Sequence, residues 1–317
     1  MKPCGNGKMS IGAWIAIAVA IVVGATSGQA DGQAPDPVMS GPVMSGSVSI
    51  ERAGSTAGRD VILIPGLATS GEVWTDTVMA LGDSVDAHMV TLAGFGTVPA
   101  VGRGEAGVLG SAVADLAAWL AAEGIEDAVL VGHSLGAQIA LQLAAEAPDQ
   151  VGAVVVVDSV PFFARLFNPA ITEAQASAYA AGVSAQMAAA PREQFLAMSR
   201  QGLPVQSITD EGQARVMAWM ELADQAVVSQ AMGEVMAADF SPVLPQVAAP
   251  VTVMFAWSEG APMSADQLES VYASQYDGLA AVDLMRVDGS RHFIMLDQAE
   301  TFRSALGTVI ARPNEED

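Results

Sequence analysis

The sequence predicts an α/β fold: a mostly parallel, doubly wound sheet with a helical cap inserted into it. Three observations carry this. Short runs of Val, Ile and Leu, such as residues 61–64 and 151–157, end abruptly at Pro, Gly or Asp. Strands that are apolar at every position are buried on both faces, as in parallel sheets. Alanine- and leucine-rich stretches of helical length alternate with them. The rhythm then breaks between residues 161 and 245, where the composition is helical throughout.

In chain order, 61-VILI-64 reads as a strand stopped by Pro65-Gly66, and residues 88–92 as a second strand stopped by Gly94-Phe95-Gly96. Residues 104–123 form a helix, with Gly124 as its stop. Residues 128–131 are a strand that ends at Gly132, and 135–147 a helix that ends before Pro148. The run 151-VGAVVVV-157 is a buried strand followed by Asp158. Beyond the insertion come a strand at 250–257, a helix at 265–276, a strand at 281–287 and a helix at 298–310. Inside the insertion, Val216, Met217, Met220, Val227, Val228, Met232, Val235 and Met236 recur at three- to four-residue spacing. Such residues pack cap helices together, line a pliable apolar pocket, or do both.

The chain has 317 residues, 51% of them hydrophobic and 15% charged, a globular composition with room for one large domain and an insertion, or for two domains. Residues 1–30 carry the marks of a secretory signal peptide. Lys2 and Lys8 precede the apolar run 11-IGAWIAIAVAIVVGA-25, and Gly28 and Ala30 are placed for cleavage before Asp31. The alternative is a retained anchor, for which the apolar run is short of the roughly 20 residues a span requires. Export to the periplasm or the medium is therefore expected. The sole cysteine, Cys4, leaves with this segment, so no disulfide framework is expected. Residues 31–46 contain PVMSG twice in tandem and read as a flexible linker to a core at 47–160 and 246–317. The formal net charge of −22, with only arginines as cations beyond residue 30, repels nucleic acid and anionic lipid. Neither a nucleic-acid partner nor a stable membrane partner after cleavage is expected.

The chemistry centres on 132-GHSLG-136, within 128-AVLVGHSLGAQIAL-141. It fits the G-x-S-x-G nucleophile elbow, in which a strand runs straight into a helix through one strained turn. A buried strand before it and a helix after it supply that context. Ser134 needs a base, and the chain has three histidines. His88 is expected to begin a strand upstream of the serine. His133 is expected to point away at the turn, for packing or a local hydrogen bond. His292, after the last strand, fits the order serine, acid, histidine. The backbone N–H groups of Leu135 and Leu67 are the expected oxyanion donors, because backbone donors aimed at the developing charge need no particular side chain. The acid is expected in the loop after strand 250–257, where Glu259 stands. Asp158, at the end of the 151–157 strand, is the alternative acid, and Asp266 a third. No H-E-x-x-H, Cys/His cluster or G-x-G-x-x-G follows the required pattern, so neither a metal nor a cofactor is expected. Gly94-Phe95-Gly96 is expected to line the pocket beside the oxyanion donors.

On the landmarks PGLATSGEVW, GHSLG, VVVVDSVPFF, the inserted cap and GSRHF followed by Asp297-Gln298, the chain resembles alpha/beta-hydrolase-fold proteins over residues 59–310. More narrowly it resembles exported single-domain hydrolases of Gram-negative bacteria. The family's oxyanion loop often carries His-Gly where this chain has Pro65-Gly66, and its acid is usually an Asp after the strand that is VTVMFAW here. The resemblance implies a carboxylesterase-like serine hydrolase acting through an acyl-enzyme. Its substrates would be small to medium apolar esters or lactones. The rival expectation is a non-catalytic or weakly catalytic ligand-binding member of the same fold.

Overall fold

The computed structural model describes residues 40–312. The expected signal peptide at 1–30 and most of the linker lie outside the described residues. The elements are β1 (Val43–Ser45), β2 (Val48–Gly54), β3 (Arg59–Ile64), α1 (Thr75–Leu81), β4 (Val85–Leu92), α2 (Gly107–Glu123), β5 (Ala128–His133), α3 (Leu135–Glu146) and β6 (Val151–Val157), followed by four cap helices. These are α4 (Glu173–Ala189), α5 (Arg192–Gln206), α6 (Asp210–Leu222) and α7 (Gln225–Ala237). The chain ends with β7 (Val251–Trp257), α8 (Ala265–Gln275), β8 (Val282–Asp288), the short α9 (Ile294–Asp297) and α10 (Ala299–Ile310).

The eight strands lie in the order β1-β2-β4-β3-β5-β6-β7-β8. From β4 to β8 all neighbours are parallel, while β1 and β2 add an antiparallel margin. Successive side chains point to opposite faces, which splits the apolar runs between two cores. Ile62, Leu130 and Val156 face Leu116 of α2, Ile139 of α3 and Tyr272 of α8. Val61, Val129 and Val155 face Val78 of α1 and Phe302 of α10. Burial on both faces is why the runs 61–64, 128–131 and 151–157 carry no polar side chain.

Two expectations change. Val43–Ser45, inside the expected linker, is an edge strand paired with Val48–Ile50 through a turn at Gly46. The second PVMSG copy is therefore part of the sheet, because a Val-Met-Ser triplet next to a turn glycine can add to an open edge. His88 lies in the middle of β4 and not at its start. Its Nε2 is 2.8 Å from Asp60 Oδ1, its ring stands 5.0 Å from Trp119, and Arg52 pairs with Asp86 beside it. Asp60, Asp86 and His88 are the one group among the described residues close enough to gather on a cation. Arg52 already engages both oxygens of Asp86 there.

The cap enters between β6 and β7. It is tied to the core by side chains that satisfy helix ends. The Glu234 carboxylate of α7 accepts the Val108 and Leu109 N–H groups at 2.9 Å, filling the N-terminus of α2. Asp224 N donates to Gly94 O at 2.8 Å, Arg215 pairs with Asp76 at 2.8 Å, and Trp219 Nε1 donates to Glu72 at 3.3 Å. Of the apolar repeat in the cap, Val216, Met217, Val227 and Val228 are buried, while Met220, Met232, Val235 and Met236 are half-buried.

Candidate active site

Ser134 joins β5 to α3 at φ 53°, ψ −118°, a backbone conformation that costs an L residue energy and persists only when its surroundings enforce it. Two close approaches enforce it. A Cβ on Gly132 would lie 2.4 Å from Ala137 Cα, and one on Gly136 would lie 2.3 Å from Ile64 O and 2.5 Å from Pro65 O. Any side chain at either position would force the helix away from the strand ends. The turn is also pinned by hydrogen bonds from Ser134 N to Val157 O and from Ala137 N to Ser134 O, both 3.0 Å. Four non-glycine residues among those described have positive φ: Ala68, Asp127, Ser134 and Asp158. Three of them fall in the segments that make this site, where backbone strain tends to collect.

The carboxylate against His292 is Asp158. Asp158 Oδ2 accepts from His292 Nδ1 at 2.7 Å. Its Oδ1 accepts from Ala256 N at 2.9 Å and from the Tyr272 hydroxyl at 3.2 Å, and its own N–H donates to Met254 O at 2.8 Å. Burial, and then the charge of Asp158, hold the Tyr272 hydroxyl well above its ordinary value, so it remains a donor. With Nδ1–H given to the carboxylate, the neutral His292 ring presents Nε2 as a lone pair, the tautomer a general base requires.

This corrects the expectation for Glu259. Glu259 is exposed and makes no hydrogen bond or ion pair among the described residues. Strand β7 stays paired with β8 as far as Trp257, and the chain then turns back through a bond from Ala261 N to Ser258 O. Glu259 thus sits on the outside of a turn. Asp266 is likewise exposed, in the first turn of α8, which Ser264 caps.

His133 is fully buried. Its Nε2 donates to the backbone carbonyl of His292 at 3.0 Å, and its ring lies 4.6 Å from that of His292 and 4.5 Å from that of Phe293. It does point away from the solvent side of the turn, but its hydrogen bond reaches across the fold and is not local. The residue next to Ser134 thereby holds the segment that carries His292. Burial first, and then His292, push the His133 pKa well below its ordinary 6.5, so it is a neutral ring. Its Nδ1 has no partner among the described residues and faces Gly66, where a Cβ would come within 2.7 Å of it.

The two expected oxyanion donors border the same turn. The Leu67 N–H has no hydrogen-bond partner among the described residues, and the Leu135 N–H opens α3, where first-turn donors are unpaired by intrahelical bonds. A Cβ on Gly66 would meet Ser134 Cβ at 3.2 Å, so the Leu67 loop lies directly against the serine. Phe95 is buried in the core, and Gly94 and Gly96 line an open groove of about 310 Å³ with Leu222 and Asp224, which neither Ser134 nor His292 lines. The expectation that this loop lines the pocket beside the oxyanion donors therefore finds no support in the groove. The partners of Asp158 (Tyr272 and the Ala256 N–H) were not singled out from the sequence. A tyrosine in the middle of α8 carries no local pattern that marks it.

The chain is similar to proteins of one family. The family model described as "Alpha/beta hydrolase family" matches residues 61–305. A pimeloyl-[acyl-carrier protein] methyl ester esterase of Aeromonas hydrophila is 36% identical over 121 residues, 37% of this chain and 43% of that protein. Matches to four such esterases span 38–56% of their lengths. Among solved structures, a bromoperoxidase from Bacillus anthracis superposes with a TM-score of 0.71 at 16% identity, over 86% of this chain and all of that one. The esterase RhEst1 from Rhodococcus sp. ECU1013 has a TM-score of 0.67 at 19% identity, over 87% and 98%.

Two outcomes follow from the geometry. Asp158→Asn lowers ester turnover by about 10²-fold or more, since the imidazole loses the charge that orients it and stabilises its protonated form. Glu259→Gln stays within about twofold of wild type. Steady-state rates on one ester decide between them. For His133, the folded state resists protonation while the unfolded chain binds a proton near its ordinary value. Its contribution to stability is therefore complete above about pH 6.5 and falls as the pH drops below it, by at most about 1.4 kcal/mol per pH unit. Urea unfolding at pH 7.5 and pH 5.5 should show this loss in wild type, and a correspondingly smaller loss in His133→Gln.

Proposed function

The chain belongs to the alpha/beta hydrolase family, and from that premise we propose that it is a serine hydrolase cleaving small to medium, uncharged carboxylic esters or lactones. The observation that carries the reading is the Asp158–His292 hydrogen bond beside the strained Ser134 turn. In this mechanism His292 Nε2 takes the Ser134 hydroxyl proton as the oxygen attacks the ester carbonyl. The tetrahedral oxyanion is held by the N–H groups of Leu67 and Leu135. The intermediate collapses, His292 gives its proton to the departing alcohol oxygen, and an acyl group remains on Ser134. Water, deprotonated by the same ring, then attacks the acyl carbonyl, and Ser134 leaves with the proton. Asp158 orients the imidazole and stabilises it when it is protonated.

An uncharged substrate is supported by the arginines of the cap, each of which is engaged. Arg165 pairs with Asp239, Arg200 with Glu221 and Arg215 with Asp76, and Arg192 donates to the carbonyls of Met220, Glu221 and Ala223. Three of the four are thus neutralised by carboxylates, and the fourth, Arg192, is held by backbone carbonyls, with its Nη1 buried and without a partner among the described residues. The esterase names of the relatives support ester chemistry. The basic, apolar and small-residue pattern of residues 1–30 supports action outside the cytoplasm.

A fluorophosphonate probe tests the reading. It should label the folded protein once, at Ser134, and the label should vanish in Ser134→Ala. A folded wild type that is not labelled contradicts the reading and favours a ligand-binding role for the same site.

A further inference from the structure

The backbone N–H groups on either side of His292 are tied to the cap, one directly and one through a carboxylate of α9. The Phe293 N–H donates to Gln206 O at the end of α5, at 2.9 Å. The Arg291 N–H donates to Asp297 Oδ2 at 2.8 Å. The same Asp297 carboxylate reaches the joint between α5 and α6: Oδ1 accepts from the Ser207 hydroxyl at 2.6 Å and from Ile208 N at 3.0 Å, while Oδ2 lies 3.2 Å from Ile208 N. The Arg291 guanidinium adds a bond to Pro204 O at 2.7 Å. Ser207 is fully buried, so this joint is packed and not merely touching.

We propose that Asp297 is a positioning residue that fixes His292 to the α5–α6 joint, so that the cap sets the placement of the catalytic base. The inference rests on the reading of His292 as that base. Its physical basis is the distribution of donors. The core holds the His292 segment by the His133 bond to the His292 carbonyl, the His292–Asp158 bond, and a 3.3 Å bond from Ser290 N to Trp257 O. Of the amides on the two sides of the ring, that of Phe293 is satisfied by the Gln206 carbonyl of the cap, and that of Arg291 by Asp297, whose carboxylate also takes the Ser207 hydroxyl and the Ile208 N–H of the cap. A carboxylate receiving three donors is rigid, because both of its oxygens are committed. Supporting bonds of this kind hold reacting groups in register, and a misplacement of about 1 Å can cost about 10²-fold in rate. The cap is thus part of the catalytic framework as well as a cover. A ligand or mutation that shifts the α5–α6 joint carries the Gln206 carbonyl, and with it the base, along.

The test uses a short acetate ester on the full chain. Asp297→Ala removes the link and should lower kcat by about 10- to 100-fold while KM changes less than about threefold. Asp297→Asn keeps an oxygen for the Arg291 and Ile208 amides and an amide that can donate to Ser207, and should recover most of kcat. Ser207→Ala should lower kcat by less, and combining it with Asp297→Ala should give no further loss, because both act through one link. If Asp297→Ala does not fold, the kcat of Ser207→Ala alone decides. A kcat within about twofold of wild type in the folded variants, or losses that multiply in the double variant, would overturn the proposal. Hydrogen exchange supplies a readout that does not depend on activity. The Phe293 N–H, to which the Asp297 carboxylate makes no bond, should exchange faster in Asp297→Ala or Ser207→Ala, and unchanged exchange there also counts against the link. A wild type inert to ester and probe would contradict the hydrolase reading, and the exchange result would still decide whether the cap holds the His292 segment.

Discussion

The site depends on one contact between backbones: α3 starts so close to the ends of β3 and β5 that neither Gly132 nor Gly136 has space for a Cβ. That approach forces Ser134 into its positive-φ turn and presents its side chain at the C-terminal edge of the sheet. It also brings the Leu135 N–H and the Leu67 loop to the same point. Parallel strands are what make this possible, because the ends of β3, β5 and β6 then lie side by side. Ligands of open parallel sheets gather outside such strand ends for the same reason. A local backbone restriction therefore fixes where chemistry can occur before any side chain is considered.

Around that turn the side chains fall into two tiers. Asp158 ends β6 next door and takes donors from His292, Tyr272 and Ala256. His133, the neighbour of Ser134, uses its ring to hold the His292 carbonyl. Being neutral and buried, it adds no second positive charge when the adjacent imidazole is protonated. In the proposed reading this makes His292 a base whose ring is held by a carboxylate and whose segment is held by His133 on one side and by the Gln206 carbonyl of the cap on the other.

Much of this was legible in the sequence because it is local. The strand–turn–helix around GHSLG, the buried runs and the position of His292 after the last strand are patterns of neighbours, and the element boundaries agree to within a few residues. The acid was not legible in the same way. Whether Asp158 or Glu259 reaches the ring depends on how far β7 stays paired with β8, and pairing through Trp257 is a tertiary fact. The VVVVD run did hold a clue, since Asp tolerates the positive φ that Asp158 adopts at the strand end. The edge strand β1 was hidden for the opposite reason. Its Pro/Gly/Ser setting reads as linker, and only the open edge of β2 gives Val43–Ser45 a partner. The role of Asp297 was out of reach, because its donors at Ser207 and Ile208 are about ninety residues away in sequence.

The central claim is that the strained Ser134 carries the acyl group between two half-reactions. The most direct measurement is mass spectrometry of peptides from protein rapidly acid-quenched during turnover of an activated acetate ester. One acetyl group is expected, on the peptide containing Ser134, formed and consumed at rates compatible with turnover. Steady turnover with Ser134 unmodified, or an acetylated intermediate that persists in Ser134→Ala, would contradict it.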